Sequence, residues 1–68
     1  MYGLNLDLIR RKREEHKLTQ KDLSEALGFK HPSSYLRREK GRAYFKANHL
    51  PILAQALKCN ISELFFDN

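Results

Sequence analysis

The chain has 68 residues, a length that allows one domain with a modest hydrophobic core. Its 13 Lys and Arg exceed its 8 Asp and Glu, and the formal charge of +5 favours polyanionic partners. The single cysteine excludes an internal disulfide, and the three histidines are too dispersed for a metal site. With no membrane-length apolar stretch and no secretory signal, we expect a reduced, cytoplasmic protein without cofactor, metal or small-molecule ligand.

The pattern of apolar residues predicts five helices and no strand. The first covers about residues 5–16, where Asn5 is a suitable N-cap. Ile9 and Arg13 lie four residues apart on one face of this helix. The basic run at residues 10–12 is interpreted as a solvated helix face, because acidic residues lie close by.

A capping pattern and a glycine define the second helix. It covers about residues 20–27, and Thr19 forms a capping-box-like pair with Asp22. Gly28 occupies the position where a left-handed C-cap is needed. Two short helices joined by a tight turn that contains glycine are the sequence form of a helix-turn-helix. In a small basic chain, this pattern indicates binding to duplex DNA.

The third helix opens at Pro32, because proline is tolerated at the first helical position, and it ends before Gly41. We take Tyr35 as the inward anchor of this helix. Glu39, four residues further on, shares the same side. The opposite side is therefore expected to face solvent or a partner.

The outward face of the third helix carries Ser33 and Arg37, with Ser34 near them. A face with two small hydroxyls and an arginine can approach the major groove closely, and arginine can bond to guanine in a bidentate manner. For Arg37 we favour a base or phosphate contact. For the two serines, base contact, phosphate contact and local capping remain open.

A loop over residues 41–47 precedes the fourth helix at about residues 49–58, for which Asn48 is the expected cap. The apolar stripe of the fourth helix consists of Leu50, Leu53, Ala54 and Leu57. Asn60 and Glu63 form a second capping box, which opens a short fifth helix. One face of the fifth helix carries Ile61, Leu64 and Phe65.

These segments together resemble the lambdoid phage repressor and Cro class of helix-turn-helix regulators, the XRE family. The resemblance covers nearly the whole chain and is carried by residues 13–15 with 18–23, Gly28 with 39–41, and 50–57 with 61–65. It implies an all-α, five-helix fold of the lambda-repressor type, with residues 1–68 as a single DNA-binding domain. Helices two and three are then the helix-turn-helix.

The chain departs from the family pattern in the turn and after the third helix. The segment between Gly28 and Glu39 is about one residue longer than the commonest spacing in the family. This leaves open whether Lys30, His31 or Pro32 begins the recognition helix. The loop that follows the third helix is also slightly extended.

The resemblance also implies roles for individual residues. Gln20 contacts a phosphate and braces the recognition helix. Ser24 replaces the usual alanine where helices two and three touch, and serine is small enough to fit. Arg13 pairs with Glu39 and locks helix one to the end of helix three, which is a scaffold contact and not a DNA contact.

Three cations, Lys40, Arg42 and Lys46, follow the recognition helix. The family places phosphate contacts in this region, and such a cluster suits counter-ion release, although a plain polar loop is the alternative. Tyr44 and Phe45 in the same loop can stack on bases as in single-strand binders, but we favour packing onto the core.

His31 either donates to a base or phosphate or is a neutral N-cap residue. The predicted DNA-binding residues are therefore Gln20, Lys30, His31, Ser33, Ser34, Arg37, Lys40, Arg42 and Lys46.

The leading hypothesis is a sequence-specific regulator of transcription that binds double-stranded DNA and represses by occluding a pseudo-palindromic operator. We expect a weak homodimer through the region of Phe65 and Phe66. The alternative is an antitoxin or another protein-interaction module on the same fold. An enzyme is disfavoured, because the sequence holds no nucleophile–base set, metal set or glycine-rich phosphate loop.

Overall fold

The computed structural model describes residues 3–66, which form four α-helices and a short 3-10 helix. The elements are α1 (Leu6–Glu15), α2 (Gln20–Ala26), α3 (Pro32–Glu39), α4 (His49–Ala56) and the 3-10 helix Ile61–Leu64. Within the described part of the chain, β-pairing is limited to one isolated bridge. The all-α class is therefore confirmed, but the count of five α-helices is not.

The C-terminal segment leaves the helical conformation because it pairs with the N-terminal segment. Phe65 is extended, with φ −103° and ψ 157°, and forms an antiparallel bridge with Leu4. The N–H of Phe66 donates to the C=O of Gly3 at 3.0 Å. These contacts stop the last helical turn after four residues.

Side-chain caps define the starts of the first two helices. The Oδ1 of Asn5 accepts the N–H of Leu8 at 3.1 Å. The Oγ1 of Thr19 accepts the N–H of Asp22 at 3.0 Å, and the Oδ2 of Asp22 accepts the N–H of Thr19 at 2.8 Å. Both predicted caps are confirmed. Each satisfies backbone donors that a helix start otherwise leaves unpaired.

The start of α4 differs from the expectation. Asn48 occupies the N-cap position as predicted, but its backbone is helical and its side chain makes no capping hydrogen bond. Instead, the Nδ1 of His49 accepts the N–H of Lys46 at 3.0 Å. The N–H of His49 donates in return to the C=O of Lys46 at 2.9 Å. A tight turn held by a histidine therefore replaces the expected capping hydrogen bond of Asn48.

All four α-helices end at a residue with positive φ. Gly28 and Gly41, at φ +79° and +78°, end α2 and α3 as predicted. Lys17 and Lys58, at φ 57° and 55°, play the same part after α1 and α4. In each case a backbone N–H bonds across this residue to a C=O five residues earlier, at 2.8–3.0 Å. A left-handed conformation costs a non-glycine residue about 1–2 kcal/mol, so lysine is not expected at this position. The sequence therefore does not indicate that α1 and α4 end in this way.

The hydrophobic core lies between the four α-helices and the 3-10 helix. Its buried members are Ile9, Leu23, Leu27, Tyr35, Leu53, Ala54, Leu57 and Leu64. The predicted stripe of α4 is buried except for Leu50, which is half-buried. Ile61, expected on the inner face of a fifth helix, is exposed because that helix does not form. Tyr35 is fully buried, so the core holds α3 by its predicted anchor.

An interior ion pair joins α1 to α3. The Nε of Arg13 lies 2.8 Å from Oε2 of Glu39, and its Nη2 lies 3.3 Å from Oε1. The Nη1 of Arg13 also donates to the C=O of Leu18, and the hydroxyl of Tyr35 donates to Oε2 of Glu39 at 2.6 Å. Burial and this carboxylate raise the pKa of Tyr35 well above its ordinary value. The scaffold pair that the resemblance implied is therefore confirmed.

Candidate nucleic-acid interface

Ser24 sets the close contact between α2 and α3. Its buried hydroxyl lies 3.0 Å from the C=O of His31 and 3.1 Å from the C=O of Pro32. The same oxygen accepts the N–H of Tyr35 at 3.3 Å. Ser24 therefore does more than fit a small space. Its hydroxyl bonds to backbone groups at the start of α3, and one of them is an N–H of the kind that the first turn of an α-helix leaves unpaired. Sequence reasoning considered its size but missed these bonds.

The structure shows where α3 begins. His31 is the N-cap residue with an extended backbone, and Pro32 is the first residue of α3. The N-cap position, one of the two alternatives for His31, is therefore confirmed, although its exposed imidazole makes no capping hydrogen bond. Ser33 and Ser34 lie inside the first turn, so local N-capping by them is wrong. Lys30 is exposed in the turn just before.

The outward face of α3 is open to solvent. Ser33 and Arg37 are exposed and Ser34 is half-buried, whereas Tyr35 and Glu39 on the other side are buried. This arrangement of the two faces agrees with the predicted periodicity. Short side chains near the start of the helix allow its backbone to come close to a groove, and Arg37 extends from the middle of the exposed side.

Gln20 is the first residue of α2 and is half-buried. In the same turn, the carboxylate of Asp22 accepts the N–H of Thr19, and this bond lowers the pKa of Asp22. The resulting negative charge opposes the attraction of a helix N-terminus for anions. A phosphate contact by Gln20 therefore depends on its side-chain amide more than on the end of the helix.

Ion pairs divide the basic residues into two groups. On α1, Arg10 lies 2.6 Å from Asp7 and 3.1 Å from Glu14, and Arg11 lies 3.1 Å from Asp7. This agrees with the interpretation of residues 10–12 as a solvated helix face. Nine cations form no ion pair within residues 3–66. Three of them, Lys12, Lys17 and Lys58, lie elsewhere, and the other six are Lys30, Arg37, Arg38, Lys40, Arg42 and Lys46. Uncompensated positive charge is thus concentrated on the turn, on α3 and on the loop that follows.

The predicted phosphate-binding cations occupy the end of α3 and the loop. Lys40 is the C-cap of α3, and Arg42 follows Gly41 directly. Cations are favoured at this end of a helix because its last carbonyls carry partial negative charge. Lys46 lies further along the loop, and all three side chains are exposed.

Comparison with known protein families identifies the family of this chain. A family model described as helix-turn-helix, HTH_3, matches residues 9–64. The chain belongs to this helix-turn-helix family. Its members are XRE-type DNA-binding regulators of transcription, in agreement with the resemblance drawn from the sequence. No curated protein matches the chain.

The structure of this helix-turn-helix protein also bears on membrane spans, metal ligands and the single cysteine. Within residues 3–66, no helix is long and apolar enough to cross a membrane. The same residues hold no group of three or more His, Cys, Asp or Glu side chains suited to a metal ion. Burial raises the pKa of the half-buried Cys59 thiol, which lowers its reactivity at neutral pH.

Arg38 is a residue that sequence reasoning missed. Its Nη1 donates to the C=O of Ser34 at 2.7 Å, and its Nε donates to the C=O of Tyr44 at 3.1 Å. Its guanidinium also lies over the ring of Phe29, 4.4 Å from the centroid. Arg38 therefore ties the turn before α3 to the loop after it. A run of two arginines carries no signal for this role, because it depends on the path of the loop.

The aromatic residues of the loop have different environments. Phe45 is half-buried, and its ring lies 6.1 Å from Tyr35 and 6.4 Å from His49. For Phe45, the predicted packing onto the core is confirmed. Tyr44 is 92% exposed, so the same expectation is wrong for its side chain.

His49 packs between aromatic rings beside the loop. Its ring is buried and meets Phe29 edge to face at 5.0 Å. Burial, followed by the nearby charges of Arg38 and Lys46, lowers the pKa of His49. A neutral imidazole whose Nδ1 accepts a backbone bond is therefore part of the support for the loop.

Proposed function

We propose that this protein is a sequence-specific repressor that binds duplex DNA as a homodimer and occludes a pseudo-palindromic operator. The observation that carries this proposal is the exposed face of α3 with uncompensated cations on both sides of it. Regulators with this motif place the second helix of the pair in the major groove, and the first helix crosses the backbone.

In this proposal, α3 reads bases and the surrounding residues position it. Arg37 projects from the exposed face and bonds to a guanine edge, with Ser33 and Ser34 beside it. The contacts to phosphate come from residues around α3, namely Gln20, Lys30, His31, Lys40, Arg42 and Lys46. This division predicts that substitutions on the exposed face of α3 change sequence preference. Substitutions of the surrounding phosphate contacts should change only affinity.

The proposed dimer contact is the C-terminal segment. Phe66 is 53% exposed, Phe65 beside it is half-buried, and Ile61 in the preceding 3-10 helix is 41% exposed. A two-fold axis would bring this apolar patch against itself, and aromatic side chains are enriched in interface cores. Two copies would then present two recognition helices to half-sites about one helical turn, roughly 34 Å, apart.

Selection of bound duplexes from a random library tests the proposal. We expect the selected sites to contain two inverted half-sites separated by about one helical turn. Affinity for the selected site should fall steeply with salt, with a log–log slope near −0.9 for each of about 4–6 phosphates neutralised per protomer. Selection of a single asymmetric site would overturn the dimer, and a flat salt dependence would overturn the DNA contact.

Transcription in vitro tests repression by occlusion. The selected site is placed either across a promoter or well upstream of it, and transcripts are measured at increasing protein concentration. We expect loss of transcript only when site and promoter overlap. A rise in transcript from the upstream template would show an activator instead.

A further inference from the structure

Tyr44 has an unusual position for an aromatic residue. It is 92% exposed, compared with 53% for Phe66 and 39% for Ile52, while its neighbour Phe45 packs against the core. The exposure of Tyr44 does not reflect a loosely held backbone. Its C=O accepts the Nε of Arg38 at 3.1 Å.

The loop is anchored on both sides of Tyr44. On one side, the N–H of Arg42 donates to the C=O of Arg37 at 2.8 Å. On the other side, the N–H of Lys46 donates to the Nδ1 of His49. The backbone at Tyr44 is thus held between two fixed points, with the aromatic ring directed into solvent.

The anchoring also places Tyr44 relative to the exposed face of α3. Ser34 and Arg38 are four residues apart and share one side of the helix. At about 100° per residue, this side lies between the buried Tyr35 and the exposed Arg37. Because Arg38 bonds to both Ser34 and Tyr44, the loop runs along this flank, and Tyr44 borders the exposed face.

The charges around Tyr44 indicate what kind of partner contacts its side chain. Arg42 and Lys46 each lie two residues from it in the loop, and neither forms an ion pair within residues 3–66. A second copy of the chain is disfavoured as the occupant, since a two-fold contact would bring these like charges together. A polyanion with apolar surface between its charges fits both the cations and the ring.

We propose that Tyr44 contacts the sugar–phosphate backbone of the duplex next to the bases that α3 reads. The ring packs on a deoxyribose, and the hydroxyl donates to a phosphate oxygen between the phosphates bound by Arg42 and Lys46. This inference rests on the proposed function, because it needs α3 to lie in the groove. It adds an aromatic contact between the two cations of the loop.

Two substitutions of Tyr44, with Ile52→Ala as matched control, test the contact on the selected duplex. Tyr44→Phe removes only the hydroxyl and should weaken binding by about tenfold, the usual size for loss of a hydrogen bond to a charged group. Tyr44→Ala should weaken binding by a further factor of about three, since the ring contact is lost as well. Ile52→Ala removes an exposed apolar side chain on α4 and should leave affinity unchanged.

The salt dependence separates Tyr44 from its charged neighbours. Tyr44→Ala should lower affinity at every salt concentration with an unchanged slope, because no cation is lost. Arg42→Ala should reduce the slope by about one phosphate contact. Thermal unfolding of each variant checks that the fold is intact, which we expect because the side chain of Tyr44 contacts so little of the protein.

The outcomes distinguish this inference from the proposed function. If the wild type binds its selected duplex and Tyr44→Ala binds equally well, the Tyr44 contact is wrong and the proposed function stands. If the wild type selects no duplex, the proposed function fails and the inference with it. If Tyr44→Ala changes the sedimentation of the protein without DNA, Tyr44 lies in a protein contact and the inference is overturned.

Discussion

Arg37 and Arg38 are neighbours in sequence but differ in environment. Arg37 is exposed and forms no ion pair within residues 3–66, whereas Arg38 is bound to two carbonyls and an aromatic ring. The 100° step of an α-helix separates the two side chains. One arginine is therefore exposed to solvent, and the other ties α3 to the loops on either side of it.

We predict that Arg37→Ala relaxes specificity at one base pair. The loss on the selected site should be about 1–3 kcal/mol, with little change on random DNA, because a bidentate base contact is removed. Competition binding with single-base variants of the site measures both effects. Arg11→Ala, which removes an exposed arginine paired with Asp7 on α1, is the control. An equal loss on specific and random DNA would assign Arg37 to a phosphate.

At the scale of helices, the recognition helix is held by polar contacts inside the protein as well as by the core. Glu39 near the end of α3 receives Arg13 from α1 and Tyr35 from its own helix. Ser24 of α2 binds the other end of α3. Both ends of the helix are thus fixed in a small domain that has a limited hydrophobic core.

Loss of either partner of the interior ion pair should destabilise the fold. The side chains of Arg13 and Glu39 are only 11% and 4% exposed, so either substitution to alanine leaves a nearly buried charge without its close partner. We expect a loss of about 3–5 kcal/mol in the free energy of unfolding, measured with urea. Glu25→Ala on exposed α2 surface is the control. A midpoint unchanged in both variants would contradict the structural role of the pair.

The support of the loop should depend on pH through His49. The pKa of His49 in the folded state is lowered from its ordinary value of 6.5 by burial and by Arg38 and Lys46. The unfolded chain therefore binds a proton more readily, and stability is lost as the pH falls below about 6.5 toward the folded pKa. Above 6.5 this contribution is constant.

Unfolding of the wild type and of His49→Gln between pH 5 and 8 measures this dependence. We expect the wild type to lose more stability than the variant on acidification, since protonation of the imidazole breaks its bond with the N–H of Lys46. Parallel pH profiles for the two proteins would show that another group accounts for the change.

At the scale of the whole molecule, two surfaces have separate roles in the proposal. The face of α3 and its loops carry exposed cations, whereas the C-terminal segment carries exposed apolar side chains. The bridge between Leu4 and Phe65 holds this segment in place, so Phe66 is presented by paired backbone and not by a helix. Its exposure agrees with the sequence-based expectation, although the structural cause is different.

We predict a weak homodimer that tightens on DNA and depends on Phe66. Sedimentation of the wild type and of Phe66→Ala at increasing concentration, with and without the selected duplex, measures the association. Phe66→Ala should dimerise less in both conditions, because the apolar area at the contact is reduced. Ile52→Ala should behave as the wild type. Equal dimerisation of Phe66→Ala would place the interface elsewhere on the chain.

The sequence alone determined several features that depend on residues within about one helical turn of each other. Caps such as Asn5 and Thr19, the glycine ends of α2 and α3, and the two faces of α3 follow from spacing, and each is found as predicted. The link between Arg13 and Glu39 spans 26 residues and came only from the family resemblance. The three matching segments in their order along the chain were enough to indicate the family.

Tertiary structure decided the features that depend on the path of a loop or a chain end. Lys17 and Lys58 end helices although lysine has no preference for positive φ, because packing of the next segment outweighs the local cost. Pairing of the two chain ends replaced a fifth α-helix with one 3-10 turn. The roles of Arg38 and Tyr44 arise in the same way, since their hydrogen bond exists only once the loop is folded against α3.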